Sequence, residues 1–362
     1  MIITINQRKV KEALAVTEKI VSKNLALPIL QNVVIRTENG RVKISSTNLE
    51  IGINFWLGAK IEEEGDVAIP ARLFSEFINN VQSEKVTIST KENIAYINTE
   101  NSKTKIIGFP AKDFPIIPKN KNTPFVTLGA KKIWQLFSAV IDSASLSEAR
   151  PELAGVFVHF SPTKIESAAT DSFRLAEQVI YENGKIDQSM IIPKTTIQEL
   201  IRALGDREED IALSLSENQI FFSTSDFEIV SRLIDGHYPE YKRVIPEKFL
   251  SKYTLSREEL EKSVRLASIF TSSIADIKLQ ADKDGFKVLA KNADKGEVNL
   301  SVPGTLKNGP FGIAVNYRYL LDGLKIIPTS QVEIEFTGEG SPLILHPEGK
   351  TDFTYLIMPL RS

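Results

Sequence analysis

The chain has 362 residues, 44 basic against 46 acidic residues for a net charge of −2, 42% hydrophobic residues and no cysteine. This balance excludes an intrinsically disordered chain and collagen-like repetition, and the missing cysteine excludes disulfides, a thiolate nucleophile and a cysteine zinc site. The start MIITINQRKVKEAL lacks the apolar centre of a signal peptide, and no stretch approaches the ~18 apolar residues of a membrane helix, so a soluble, cytoplasmic chain of two or three domains is expected.

From Ile3, ITINQRKVKEALAVTEKIV predicts a short strand, a polar turn and an amphipathic helix over 7–24, with Val10, Leu14, Thr17 and Val21 at helical spacing. VVIRTENGRVKISS then alternates as a hairpin that turns at Glu38-Asn39-Gly40. GDVAIPARLFSEFINNV predicts a strand ending at Pro70 and a helix over 71–82, and KVTISTKENIAYINT another hairpin. The order restarts at Val126 with VTLGAKKIWQLFSAVIDSA, whose helix over 130–142 carries Ile133, Leu136, Phe137, Val140 and Ile141 on one face. QSMIIPKTTIQELIRAL supplies a strand ending at Pro193 and a helix over 193–205, and IALSLSENQIFFSTS a hairpin through Glu217-Asn218. A third start at Tyr253, YTLSREELEKSVRLASIF, predicts a helix over 256–270 with Leu260, Val264, Ala267 and Ile269 inward. GPFGIAVNYRYLLDGLKII closes the pattern with a strand to Val315 and a helix over 316–326, followed by the hairpin VEIEFTGEGSPLILHP.

Pro70, Pro193 and Val315 keep a period of about 123 residues, and so do Thr47, Thr170 and Asn292, so two separate marks define three repeats. Each repeat holds about two helices and many antiparallel strands, an α+β plan with helices gathered on one face of the sheets. Pro- and Lys-rich stretches at 115–124 and 239–252 suit linkers, which predicts domains at 1–120, 121–246 and 247–362.

Catalytic motifs are missing. There is no phosphate-binding GxxxxGK[ST], no GxGxxG after a strand and no GxSxG. His159, His237 and His346 lie in separate segments and read as unrelated surface or half-buried histidines rather than a metal site. Asp171 with a histidine and a serine would make a hydrolase only by numerical coincidence. No enzyme activity, metal or cofactor is expected. Charge is more informative: the six helix windows carry six more basic than acidic residues, leaving eight more acidic than basic residues elsewhere. Such segregation describes either solvated helices or a mildly positive helical layer facing phosphates on an acidic protein. Lys9, Lys11, Lys19, Lys23, Lys131, Lys132, Lys194, Arg202, Arg265, Arg318 and Lys325 are the candidate cations of such a phosphate-facing layer.

Several segments resemble one family. Ala169-Thr170-Asp171-Ser172-Phe173-Arg174-Leu175-Ala176 is similar to the ATDGHRLA segment of bacterial sliding clamps, the beta subunits of DNA polymerase III. Tyr238-Pro239-Glu240-Tyr241-Lys242-Arg243-Val244-Ile245-Pro246 is similar to their FPDYRRVLP, and Tyr355-Leu356-Ile357-Met358-Pro359-Leu360-Arg361 to their YVVMPMR. Leu27-Pro28-Ile29-Leu30 and Ile69-Pro70-Ala71-Arg72 also match, so the marks span the chain. The departures are Ser172-Phe173 for the usual Gly-His, Ser22-Lys23-Asn24 where relatives often carry an arginine, and Leu360 for methionine.

The resemblance implies a DNA clamp fold: two three-domain chains join head to tail into a ring, twelve helices line its hole, and duplex DNA passes through without base readout. The implied partners are a second copy, double-stranded DNA, the replicative polymerase, an ATP-driven clamp loader and other proteins bearing a clamp-binding motif, with no membrane. By alignment to the family, Leu73, Phe77, Val81 and Ile106 meet Ile269 and Phe270 at the dimer interface. The client-peptide pocket is expected from Leu153, Thr170, Ser172, Phe173, Arg174, Leu175, Pro239, Tyr241, Arg243, Val244, Tyr319, Pro342, Leu356, Met358, Pro359, Leu360 and Arg361, with Arg174 and Arg361 as donors at its rim. It receives short peptides, typically a glutamine followed by leucine and phenylalanine. The alternative is a monomeric peptide-binding repeat scaffold that does not encircle DNA.

Overall fold

A computed structural model describes residues 1–21, 27–147, 149–184 and 186–360. Among them are six α-helices, α1 (Gln7–Thr17), α2 (Ala71–Asn80), α3 (Ala130–Ser138), α4 (Lys194–Leu204), α5 (Arg257–Ala267) and α6 (Tyr317–Ile326). Each directly follows a short strand, as the repeat predicts. Asn6, Ser256 and Asn316 cap α1, α5 and α6 by accepting from backbone N–H groups in the first turn, so the polar residue between strand and helix sets where each helix begins. The expected helix over 7–24 ends at Thr17, whose hydroxyl donates to the Ala13 carbonyl and competes with the ladder.

The chain gathers into two compact units. The first comprises Met1–Ile133 and Thr195–Leu233. It holds a five-stranded antiparallel sheet in the order Ala59–Glu63, Ile2–Asn6, Lys85–Lys91, Ile94–Asn98, Lys103–Ile107. It also holds an eight-stranded sheet in which strand Ile51–Leu57 of the first repeat pairs with strand Phe227–Arg232 of the second. Hairpin turns match expectation: Asn39 and Gly40 both take left-handed backbone, as a tight hairpin requires.

The second unit comprises Trp134–Lys194 and Ile234–Ser362. Its nine-stranded sheet is likewise a fusion, because strand Arg174–Tyr181 pairs with strand Phe353–Ile357 near the other end of the sequence. A four-stranded sheet of Gly296–Val302, Gly285–Asn292, Asp276–Asp282 and Phe311–Asn316 completes it. Helix α6 lies close on the long sheet: a Cβ at Gly323 would come within 2.5 Å of the Tyr355 ring, so glycine is what permits the approach. No described helix is long and apolar enough to cross a membrane.

Two details of the repeat change. Asn292 corresponds in role to Asn48 and Asp171, not to Thr47 and Thr170. Its Oδ1 accepts from the N–H groups two and three residues on, as theirs do. Ile269 does not share the buried stripe of α5; it sits in the following turn and is 57% exposed.

Candidate functional site

The seam where the two repeats join, in the middle of the nine-stranded sheet, collects most of the residues expected at the pocket. Strand Lys164–Thr170 turns into strand Arg174–Tyr181 through three residues, and the side chains of Thr170 and Asp171 tie the turn. Thr170 Oγ1 donates to the Arg174 carbonyl at 2.6 Å and accepts from the Ser172 N–H at 3.1 Å. Asp171 Oδ1 accepts from the Phe173 and Arg174 N–H groups, each at 3.0 Å. Ser172 takes a left-handed φ of 76°, which explains why glycine serves at this place in the sequences it resembles. Register sets Arg174 opposite Ile357 and Leu175 opposite Leu356, and the Met358 N–H donates to the Phe173 carbonyl at 2.8 Å.

Below the turn lies an apolar floor. Leu175, Leu356, Tyr241 and Ala168 are buried together, with Phe157, Tyr238 and Ile245 packed against them. The Tyr241 hydroxyl donates to Glu177 at 2.7 Å, and burial followed by the Glu177 charge pushes its pKa up. Around the floor Phe173, Val244 and Met358 are exposed, while Thr170, Pro239, Pro359 and Leu360 are half-buried. A groove of about 420 Å³ runs beside it, lined by Phe157, His159 and the segment Tyr238–Arg243. The Leu360 N–H donates to the Ala314 carbonyl at 2.8 Å, so the apolar LIMPL stretch is docked as expected. Pro342 directly precedes Leu343, the partner of Ile357, and adjoins the same seam. Leu153 is buried, with its carbonyl held by the Ser145 N–H. Arg361 lies outside the described residues.

Arg174 differs from expectation. It is not a free donor at the rim. Its guanidinium donates to Asp171 Oδ2 at 3.0 Å, to Asp322 and to the Asp142 carbonyl, and lies 4.7 Å from the centre of the Tyr319 ring. Burial opposes its charge, but Tyr355, Asp171 and Asp322 outweigh this and hold it protonated more firmly than usual. Arg174 is thus a strut between the turn and α6. Asp142 and Asp322 are additions to the expected set: each is the one acidic residue inside its predicted helix window, 130–142 and 316–326, and nothing in the sequence points either of them toward Arg174. Arg243 pairs with Glu240 at 2.5 Å.

The expected DNA-facing set divides. Lys9, Lys11, Lys19, Lys131, Lys132, Arg318 and Lys325 are exposed. Lys131 pairs with Glu208 at 2.6 Å and Arg265 with Glu261 at 2.7 Å, both as exposed pairs that add little stability. Arg202 pairs with Glu199. Lys194 is a correction: it turns inward, donates to the Ala144 carbonyl at 3.0 Å, and has its pKa lowered mainly by burial. Lys23 lies outside the described residues.

The expected interface set divides too. Leu73 is 51% exposed and Phe77 half-buried, but Val81 lies past the end of α2 in extended backbone, so the three do not form one helical stripe. Phe74 and Ile78 make the buried stripe instead. Ile106 is buried, and its neighbour Ile107 is 71% exposed because strand residues alternate. Ile269 is exposed and Phe270 half-buried. Both Lys103–Ile107 and Gly296–Val302 end their sheets with an unpaired side. No cluster of potential metal ligands is found among the described residues.

Comparison with known proteins agrees with this plan. Residues 1–118, 127–240 and 242–361 match, in order, the N-terminal, central and C-terminal domains of the DNA polymerase III beta subunit. The chain is 29% identical over 359 residues to the beta sliding clamp of Staphylococcus aureus, covering 96% of this chain and 95% of the relative. Among solved structures, the DNA polymerase III beta subunit of Thermotoga maritima superposes with a TM-score of 0.95 at 25% identity over the whole of both chains. That of Pseudomonas aeruginosa superposes with a TM-score of 0.93 at 24% identity, also over both whole chains.

Proposed function

The chain belongs to the family of DNA polymerase III beta subunits, and from that premise we propose how it works as a sliding clamp of DNA replication. The observation that carries the reading is the in-order match of all three beta-subunit domains along the chain. Two copies close head to tail into a ring around duplex DNA, each dividing into domains 1–120, 121–246 and 247–362. The open strand edge Lys103–Ile107 of one copy meets the open edge Gly296–Val302 of its partner, which satisfies both rows of backbone groups. Leu73, Phe77, Ile107, Ile269 and Phe270 supply apolar cover there.

The exposed cations Lys9, Lys11, Lys19, Lys132, Arg318 and Lys325 face the phosphates. Their contacts are sequence-blind and salt-sensitive, as sliding demands. The pocket over Leu175, Leu356 and Tyr241 takes short apolar peptide segments of the polymerase, the ATP-driven loader and other clients. The clamp performs no covalent chemistry and acts in the cytoplasm, where its DNA is. The test is topological. The native mass should be twice that of the chain, and protein loaded on circular DNA by its loader and ATP should be lost when the circle is cut. A monomeric mass, with equal retention on circular and linear DNA, would leave only a peptide-binding scaffold.

A further inference from the structure

Resting on the client-peptide reading, we propose that Phe173 is a specificity-determining residue, which makes the pocket rim select clients carrying an aromatic or branched aliphatic side chain beside their anchor and disfavour acidic ones. The backbone of Phe173 is pinned from both sides, its N–H on Asp171 Oδ1 at 3.0 Å and its carbonyl on the Met358 N–H at 2.8 Å. Hydrogen bonds of the turn, rather than packing of the ring, therefore fix where the side chain projects. The ring remains 61% exposed. Met358, whose N–H meets the Phe173 carbonyl, is 37% exposed, and Val244, next in sequence to Ile245 of the floor, is 52% exposed, so three partly exposed apolar side chains belong to the segments that build one buried floor. A single exposed apolar residue needs no explanation, but a cluster on a pocket rim is the form of a binding surface.

The electrostatics point the same way. Among the described residues, the cation next to Phe173 and the cation next to Val244 are both paired: Arg174 with Asp171, Asp322 and the Asp142 carbonyl, and Arg243 with Glu240. An acidic peptide residue arriving here loses water and meets an apolar ring instead of a charge. An aromatic one gains ring–ring contact with Phe173 and sulfur contact with the adaptable Met358. Phenylalanine at 173 also removes the imidazole that the resembling sequences carry, and with it a polar partner for the client.

Fluorescence anisotropy on the full chain tests this with two labelled peptides. Both contain glutamine, leucine and phenylalanine in that order and differ at one residue beside the leucine–phenylalanine anchor, tyrosine in one and aspartate in the other. The wild-type chain should prefer the aromatic version by about tenfold, the size of one good aromatic contact. Phe173→Ala should bind the two within about twofold of each other, and Phe173→His should fall between, with unfolding temperatures little changed because the side chain is mostly exposed. Undiminished discrimination in Phe173→Ala overturns the assignment while leaving the docking site standing. Failure of both peptides to bind the wild-type chain overturns the docking reading, and the selectivity with it.

Discussion

The same turn, three residues between two strands, is built twice, once in each unit, and the two copies differ in the side chain that fills the space behind it. At Thr47–Ile51, Thr47 Oγ1 donates to the Ile51 carbonyl and accepts from the Leu49 N–H, and Asn48 Oδ1 accepts from Glu50 and Ile51. Leu49 has a φ of 78° against 76° at Ser172. The Arg232 N–H donates to the Glu50 carbonyl, as the Met358 N–H does to Phe173. The difference lies one residue further on. A Cβ at Gly52 would stand 2.6 Å from Ile117 Cγ2, so the crossing segment fills that space with its own side chain. The corresponding Leu175 fills its place itself and is buried together with Tyr241 of the crossing segment there. Backbone hydrogen bonding is therefore the shared scaffold, and a single row of side chains decides what fills the space behind the turn, while each crossing segment lines a cavity on its own sheet, of about 500 Å³ in the first unit and about 420 Å³ in the second.

Exchanging that row should break the comparison most strongly. Leu175→Gly removes a buried side chain between Tyr241 and Leu356 and loosens a strand, at a cost of about 4 kcal/mol, and should abolish peptide binding. Gly52→Leu overpacks against Ile117 and Val230, at about 3 kcal/mol, and Ile117→Ala in the same chain should recover most of it. Denaturant unfolding of the three variants measures this; additive costs for Gly52→Leu and Ile117→Ala would show that Ile117 is not the plug.

Acid sharpens the comparison next. In both units a lysine of the crossing segment grips a carboxylate on the sheet: Lys119 holds Glu38, and Lys242 holds Glu166. Hydrogen bonding to Lys43 chiefly, opposed by burial, with Lys119 in support, brings Glu38 to about 2. Burial opposes the charge of Glu166 most, yet Lys164, Lys242 and His159 together bring it also to about 2. Folded values below the ordinary 4.5 mean stability that is complete above pH 4.5 and lost as pH falls toward 2. The Glu166 side chain is 4% exposed and that of Glu38 24%, so the second unit should lose more, about 3 kcal/mol from Glu166. Urea midpoints at pH 6 and pH 2.5 should converge more in Glu166→Gln than in Glu38→Gln; equal convergence contradicts the ranking.

The smallest effect is at the left-handed positions. Ser172→Gly and Leu49→Gly each relieve backbone strain but free the unfolded chain, for a net gain below about 1 kcal/mol read by calorimetry. A loss in either would mean that the side chain holds the turn through contacts of its own.

Much of this protein is legible in one dimension. Helical periodicity marked all six helices, because a helix facing a sheet must put an apolar residue inward every three or four positions. Asn39-Gly40 marked its hairpin, since few residues accept two successive left-handed conformations. Three of the segments that resemble sliding clamps, distant in sequence, converge on one seam within the nine-stranded sheet. Side-chain direction at single positions was not legible. Ile106 and Ile107 are the same residue type, and only the alternation of an actual strand sends one inward. Lys194 reads like any helix lysine until the Ala144 carbonyl takes it. Arg174 reads as a free donor until Asp142 and Asp322 surround it. The sequence by itself determined the repeat, the α+β elements and the family. Tertiary structure alone decided which strands fuse across repeats, which cations are spent on internal carboxylates and which side chain fills each junction, because those depend on groups far apart in the chain meeting within hydrogen-bonding or van der Waals distance.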